Sequence, residues 1–452
     1  MKIFSTSVLA TLTALSIGVS GCISESMPAT DEKPEYTHGE PTKMSLTLNL
    51  GSATVTRAGG DANATDDEVL VKELSLFIYD GNGTLEKDYE IPRDQLSADA
   101  GGNKFTTKPL ETSTGSKTIY VGLNMTGAMK QVMKANSVNT LDRAVVTGTL
   151  EELTNKQDGF AMFSTVGKTA DFQVTAKDEE IPQANKVEVQ VQRLAAKIAV
   201  GYQKPYEVYG EETGTLKDLV FVVDNINKKF YLPNNLSDPK DPNMKAEDYN
   251  AADFFTISDY DNLQEMQSVI EGNKENWNTA YSSENIVGDK KIKGMTRVVV
   301  KGAFVPSQYM TKETGTWGNK ANTGNDPETF ILLDIPGEGK VFFKEGTDDD
   351  VLKAYLKEEI GIADNELQGK LDQYRKTYQD GMNYWWVTMP EGSVIRNNFY
   401  QVAIRSIMVP GRPKGEFTEE DKDKEITEDT NIEVTVNIEP WNEVPFDTDL
   451  KP

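Results

Sequence analysis

Short runs in which apolar and polar residues alternate recur along the chain, separated by Gly, Asn, Asp and Pro. Alternation at period two sends successive side chains to opposite faces of a strand, so these runs predict half-buried β-strands. Met44, Leu46, Leu48 and Leu50 open the series, with Ser45, Thr47 and Asn49 between them. Residues 69–79 follow and end in the turn sequence Asp80-Gly81-Asn82-Gly83. Residues 117–125 form the next run, and Val187, Val189 and Val191 lead into 193–200. Further strands are predicted at 219–223, 230–232, 297–305, 329–333, 340–343, 384–388 and 398–408. The last run alternates Ile432, Val434, Val436 and Ile438. Helical spacing is rarer. Short helices are predicted at 128–135 and 150–154, and the clearest pattern covers 349–378. There Val351, Leu352, Tyr355, Leu356 and Ile360 share one helix face, Gly361 breaks the run, and Leu367, Leu371 and Tyr374 resume it. Many short strands with few helices predict a mainly β chain of β-sandwich modules rather than a βαβ sheet. A shift toward Gly, Pro, Glu and Tyr over 201–214 marks a boundary. It separates an N-terminal sandwich, 58–200, from a larger one, 201–452, that carries the helix.

The first residues carry a different signal. Residues 1–21 read as a secretory leader, with Lys2 followed by an apolar stretch over 8–19 that is too short to span a bilayer. It ends in Val19-Ser20-Gly21-Cys22, which resembles a bacterial lipobox, so Cys22 is predicted to take a diacylglycerol. Acyl chains hold a protein to a membrane at about 0.8 kcal/mol per buried methylene. Residues 24–40 are polar, contain Pro28 and Pro34 and lack periodicity, the composition of a flexible tether.

Composition then narrows the chemistry. The 452 residues include 47 Lys and Arg against 72 Asp and Glu, a formal net charge of −25. Such a balance opposes nucleic acid as a partner, since phosphate binding needs a basic footprint. Cys22 is the one Cys and His38 the one His. If the leader and tether are removed, Ser–His–Asp and Cys–His catalysis, Cys/His zinc sites and haem ligation all become impossible. The run Asp348-Asp349-Asp350 fits a helix N-terminus better than a calcium loop, because carboxylates are favoured beside free N–H groups. No carboxylate pair can be set at a defined catalytic separation. No enzyme activity, cofactor or metal is expected.

The first and last runs match each other. Each carries four apolar side chains at period two, so each could fill the same kind of groove. Between the first run and the rest lies Thr54-Val55-Thr56-Arg57-Ala58-Gly59-Gly60-Asp61, a lone Arg among small and polar residues. Segments of this kind are preferred sites of proteolysis. A cut between Arg57 and Ala58 would release the anchor, the tether and the whole first strand. The bare groove would expose apolar surface and unpaired backbone groups. The last strand of another copy could repair it by strand addition. Donor and acceptor surfaces differ, so such a contact propagates as a filament unless it closes.

Several segments carry a family resemblance. They are Val19-Ser20-Gly21-Cys22, Arg57-Ala58-Gly59, residues 115–120 with Asn124-Met125-Thr126, Lys228-Lys229-Phe230-Tyr231-Leu232, residues 394–402, and Val436-Asn437-Ile438-Glu439-Pro440-Trp441. With these the chain resembles the fimbrillins of Bacteroidia, the subunits of type V pili, and most of all the Mfa-type branch that builds short fimbriae. The resemblance implies two transthyretin-like β-sandwich domains. It implies export as an outer-membrane lipoprotein through Cys22, with residues 22–57 as a lipidated propeptide. It also implies cleavage after Arg57 by a trypsin-like maturation protease of the gingipain kind. Polymerisation would follow, with donor strand 431–441, including Trp441, entering the next copy. Tip and anchor subunits would be further partners, and adhesion from the cell surface the outcome. Insertions at 234–250 and 411–428 depart from the family pattern.

Two other readings stay open. Tyr384, Trp385 and Trp386, joined by Trp441, could form a sugar-stacking platform on a surface lipoprotein that keeps its first strand. A tip or accessory subunit is the other; it should lack a free donor strand or carry an extra adhesive domain.

Overall fold

The structure is a computed structural model that describes residues 39–50, 65–99, 104–175, 180–210, 214–245, 247, 249–257, 265–288, 291–416 and 432–441. Cys22, His38, Arg57 and Ala58, and with them the predicted leader, tether and cleavage site, lie outside the described residues.

The chain is mainly β, as the alternating runs require. Its first sheet runs Lys186–Gln190, Pro41–Asn49, Lys104–Thr106, Ser97–Ala98, and Leu110–Ser113 also pairs with Pro41–Asn49. A second sheet runs Gln192–Arg193, Met162–Phe163, Gly115–Leu123, Glu73–Tyr79, Leu85–Pro92, with Lys168–Phe172 beside Gly115–Leu123. The two share one hydrophobic core. Met44, Leu46, Leu48, Val187 and Val189 from the first pack with Leu74, Leu76, Ile78, Ile119 and Val121 from the second. The predicted turn after Tyr79 is present: the Asp80 carboxylate accepts from the backbone N–H groups of Asn82 and Thr84, both at 2.9 Å.

A second pair of sheets holds the other large core. One contains Glu207–Tyr209, Asn398–Met408, Ala195–Tyr202 and Ile270–Glu271, with Thr279–Ser283 on Ala195–Tyr202 and Ile432–Pro440 on Asn398–Met408. The other runs Gln267–Ser268, Gly214–Asp224, Arg297–Pro306, Met382–Thr388. Ile198, Val200, Phe221, Val223, Val298, Val300, Trp385, Val402 and Ile404 meet between them. Strand Ala195–Tyr202 runs across position 200/201, and Glu207–Tyr209 lies inside the compositional shift.

The helical expectation is met in part. Helices form at Gly127–Ala135 and Leu150–Leu153, close to their sequence bounds. The 349–378 pattern resolves into Asp349–Glu358 and Leu367–Tyr374, with Gly361 at φ +79° between them. Its last four residues are a strand instead, Arg375–Tyr378, paired with Phe330–Ile335. Tyr378 is buried there, stacked on Phe330 at 4.6 Å, so burial on a sheet overrides the helical spacing. Asp348 is the N-cap residue of Asp349–Glu358, and Asp349 accepts from Arg375 at 2.7 Å. Among the described residues, no helix is long and apolar enough to cross a membrane.

Leu46 sits wholly inside the first core. Leu46→Ala in the full-length chain should therefore cost about 2–5 kcal/mol through lost burial and a residual cavity. Urea unfolding should show a lower midpoint with an unchanged slope.

Candidate functional site

Strand Pro41–Asn49 is an interior strand, bonded on both edges. On one side Ser45–Asn49 run parallel to Lys186–Gln190. On the other, residues 47–49 pair antiparallel with Lys104–Thr106 and residues 41–44 pair antiparallel with Leu110–Ser113. Between those two partners the ladder is completed by Thr107, whose hydroxyl accepts from Leu46 N–H at 3.0 Å and whose own N–H donates to Leu46 C=O at 2.9 Å. Met44, Leu46 and Leu48 have no exposed surface, and Leu50 has 8%. The first three alone bury side chains worth roughly 5–9 kcal/mol, at about 1.5–3 kcal/mol each. All four predicted residues of this strand thus meet in one core.

A polar clamp holds the start of the strand, and sequence reasoning missed it. The Asn185 side chain is fully buried. Its amide N–H groups face Lys43 C=O at 2.9 Å, Thr42 Oγ1 at 3.2 Å and Gln173 C=O at 2.8 Å, while its carbonyl accepts from Gln173 N–H at 2.8 Å. Thr42 in turn donates to Gln173 C=O at 2.7 Å. The sole sequence signal was a polar residue placed just before the Val187 alternation.

The last strand is placed differently. Ile432–Pro440 lies at a sheet edge, antiparallel to Asn398–Met408, with a register irregularity between Ile404 and Ser406. Ile432 is buried, but Val434 and Val436 are only half-buried against the second large core. Ile438 is registered with Tyr400. Ser406 donates to the Glu433 carboxylate at 2.9 Å, and Asn437 donates to Gln401 at 3.1 Å. First-strand and last-strand residues therefore occupy separate cores.

Trp441 ends this strand in a pocket of its own and is 1% exposed. Its ring stacks on Tyr281 at 6.0 Å, meets Phe160 edge-on at 6.0 Å, and lies 4.5 Å from the Arg193 guanidinium. Its backbone N–H donates to Asn397 C=O at 2.9 Å. The Asn397 side chain accepts from Arg193 N–H at 3.2 Å. Next to Asn397, the buried Arg396 guanidinium is paired with Glu284 at 2.6 Å and donates to Tyr231 C=O at 2.6 Å and Leu232 C=O at 3.0 Å. Three of the segments singled out in the sequence, 228–232, 394–402 and 436–441, thus converge on Arg396 and Asn397.

The same neighbourhood anchors the chain just after the predicted cleavage segment. Glu68 is fully buried and pairs with Lys197 at 2.9 Å. It accepts from the Tyr281 hydroxyl at 2.6 Å and, closing a capping box, from Thr65 N–H at 2.7 Å. Arg193 donates to Glu68 C=O at 2.9 Å. Burial and the Glu68 carboxylate raise the Tyr281 hydroxyl well above its ordinary pKa. Burial pulls Arg193 down to about 10, so it remains a cation at neutral pH against the Trp441 ring.

The aromatic platform does not form. Trp385 and Trp386 are buried, at 1% and 7% exposure. Trp385 donates to Met408 C=O at 2.9 Å and Trp386 to Gly415 C=O at 2.9 Å, while Arg412 covers the Trp386 ring at 3.6 Å. Together with the buried Trp441, they leave no exposed indole face for a sugar.

Comparison with known proteins bears on both strands. A family model described as major fimbrial subunit protein (FimA) matches residues 42–201, and one described as major fimbrial subunit protein type IV, Fimbrillin, C-terminal, matches 376–445. The minor fimbrium subunit Mfa1 of Porphyromonas gingivalis is 25% identical over 459 aligned residues, spanning 88% of this chain and 86% of that protein. Among solved structures, a fimbrilin (FimA) from Porphyromonas gingivalis aligns with a TM-score of 0.45 at 15% identity, over 90% of this chain and 99% of that one. The tip fimbrial protein Mfa3 from the same organism, with a C-terminal truncation, aligns with a TM-score of 0.40 at 15% identity, over 88% and 100%. The first model begins inside the first strand and the second takes in the last strand and Trp441, and the chain belongs to the fimbrillin family, whose members are structural fimbrial subunits and not enzymes.

Proposed function

We propose that the chain is a shaft subunit of Mfa-type short fimbriae, exported as a lipoprotein through Cys22 and displayed at the cell surface. A trypsin-like protease cuts after Arg57 and releases the lipid anchor with the first strand. The last strand of a neighbouring copy then fills the vacated groove. Repetition of that step builds a head-to-tail polymer, finished by tip and anchor subunits, that serves adhesion. In this scheme residues 58–200 form the accepting sandwich and 201–452 the sandwich that ends in the donor strand.

The observation that carries the reading is the contrast between the two strands. The first fills the middle of a sheet with its apolar face buried, yet its covalent link to the chain that follows runs through the segment that contains Arg57. The last has the same alternation but covers only an edge, with Val434 and Val436 half-buried. Moving such a strand from an edge into an interior groove deepens its burial and lets both of its backbone edges pair. The Glu68 anchor supports the proposed cut, since it fixes the chain from Thr65 onward without the first strand. A donor strand with full alternation favours a shaft role over a tip role.

Arg57→Ala should leave a full-length, lipid-bound monomer and no fibres, read by electron microscopy and membrane fractionation. Normal fibres from that variant would overturn the exchange mechanism. Deleting residues 432–452 should give a processed subunit, cut after Arg57, that does not polymerise. Surface material run on an SDS gel without boiling should show a ladder that collapses on heating. A single lipidated full-length band would instead support a surface lipoprotein that keeps its first strand.

A further inference from the structure

We infer that the neighbour's last strand enters the groove in a single register and direction. It runs as the first strand runs, with Ile432 in the place of Met44 and Ile438 in the place of Leu50. This rests on the exchange proposed above and specifies the geometry of its partner.

Hydrophobic burial alone does not choose this register. Side chains alternate with period two, so sliding the donor by two residues keeps its apolar face inward. The polar face does choose. In the proposed register Thr435 falls on Thr47 and Asn437 on Asn49, residue for residue, and in sequence the identity extends to Thr430 and Thr42. Thr47 faces Thr106 across the antiparallel pair, with hydroxyl oxygens 3.3 Å apart, a contact that Thr435 would reproduce. Glu433 takes the place of Ser45, which is registered beside Lys186 on the parallel neighbour. Opposite charges then meet across the strands.

Each alternative sets like charges side by side. Sliding the donor two residues one way puts Glu433 in the place of Thr47, beside Glu188. Sliding it the other way brings Glu439 to Lys104, but it puts Glu433 in the place of Lys43, opposite Glu111, and loses both the Thr435 and the Asn437 matches. Reversing the donor about its centre brings Glu433 to Lys104, but it sets Glu439 opposite Glu111 and matches only Thr435 to its counterpart. Like charges directly opposite on neighbouring strands are destabilising. Glu111, Glu188 and Lys186 thus act as specificity-determining residues on the acceptor.

The test uses the full-length precursor carrying Lys104→Cys, combined in turn with Glu433→Cys, Thr435→Cys, Asn437→Cys or Glu439→Cys. Lys104 is registered opposite Asn49, so it marks which donor residue occupies that place. Oxidised fimbriae are boiled and run without reductant. Asn437→Cys should give a ladder that survives boiling and collapses with dithiothreitol, and the other three should not. A covalent ladder with Thr435→Cys or Glu439→Cys would show a two-residue offset, and one with Glu433→Cys a reversed donor. Either result overturns the inference while leaving strand exchange intact. So would heat-sensitive polymer from every variant with no covalent ladder in any. If Lys104→Cys impairs folding, Thr106→Cys with Thr435→Cys reads the neighbouring pair, where an offset donor would cross-link through Glu433→Cys or Asn437→Cys instead. Absence of heat-sensitive polymer from the unsubstituted chain would overturn the exchange reading itself.

Discussion

The structure depends on a strand near the chain's start that is buried as deeply as any in its core. Met44, Leu46 and Leu48 fill the space between two sheets, and backbone partners bracket them on both sides. An interior strand cannot be withdrawn without exposing apolar surface and stranding N–H and C=O groups. The buried Asn185 raises that cost, because it loses its contacts with Lys43 and Thr42 together with the strand. A body built this way tolerates loss of the strand only if something of the same form replaces it. In the proposed exchange, that requirement couples the chemistry of the precursor to the chemistry of assembly.

The second half of the chain is organised around a different constraint. Arg396 and Glu284 are both buried, and their pairing is satisfied further by the carbonyls of Tyr231 and Leu232. Buried charges persist in a core when they are paired and hydrogen-bonded in this way. Asn397 extends the arrangement to Trp441 and Arg193. The end of the last strand is thus tied to the region that anchors Thr65–Val69, through side chains contributed by segments far apart in sequence.

Much of this is legible in the sequence alone. The strand pattern found both strands of interest and the main core strands, because burial imposes it directly, but it missed more polar strands such as Leu85–Pro92, Lys168–Phe172, Gln308–Glu313 and Thr316–Ala321, whose side chains are largely exposed. What it could not supply was pairing. The parallel contact of Pro41–Asn49 with Lys186–Gln190 joins positions about 140 residues apart and leaves no local mark. The Asn185 clamp was hidden for the same reason, since an isolated Asn reads as a turn residue. The Arg375–Tyr378 strand was masked by a helical spacing that continues through it, and tertiary burial decided the outcome. Trp385 and Trp386 looked available for ligands because sequence shows aromatic clustering but not which faces are covered.

The irregularity at Arg405 bears on the subunit as the proposed exchange would leave it. While Ile432–Pro440 is in place, the outer edge of Asn398–Met408 is covered, and Arg405 reaches the Thr435 hydroxyl. Under the proposed exchange, a subunit that lends its strand to a neighbour would present that edge bare. A flat, uncharged edge would invite any extended chain to pair with it and would bind filaments together sideways. A bulge with an exposed cation at its crest makes a poor template for such pairing. In the proposed fibre, solubility would thereby be written into the strand that its own subunit leaves uncovered.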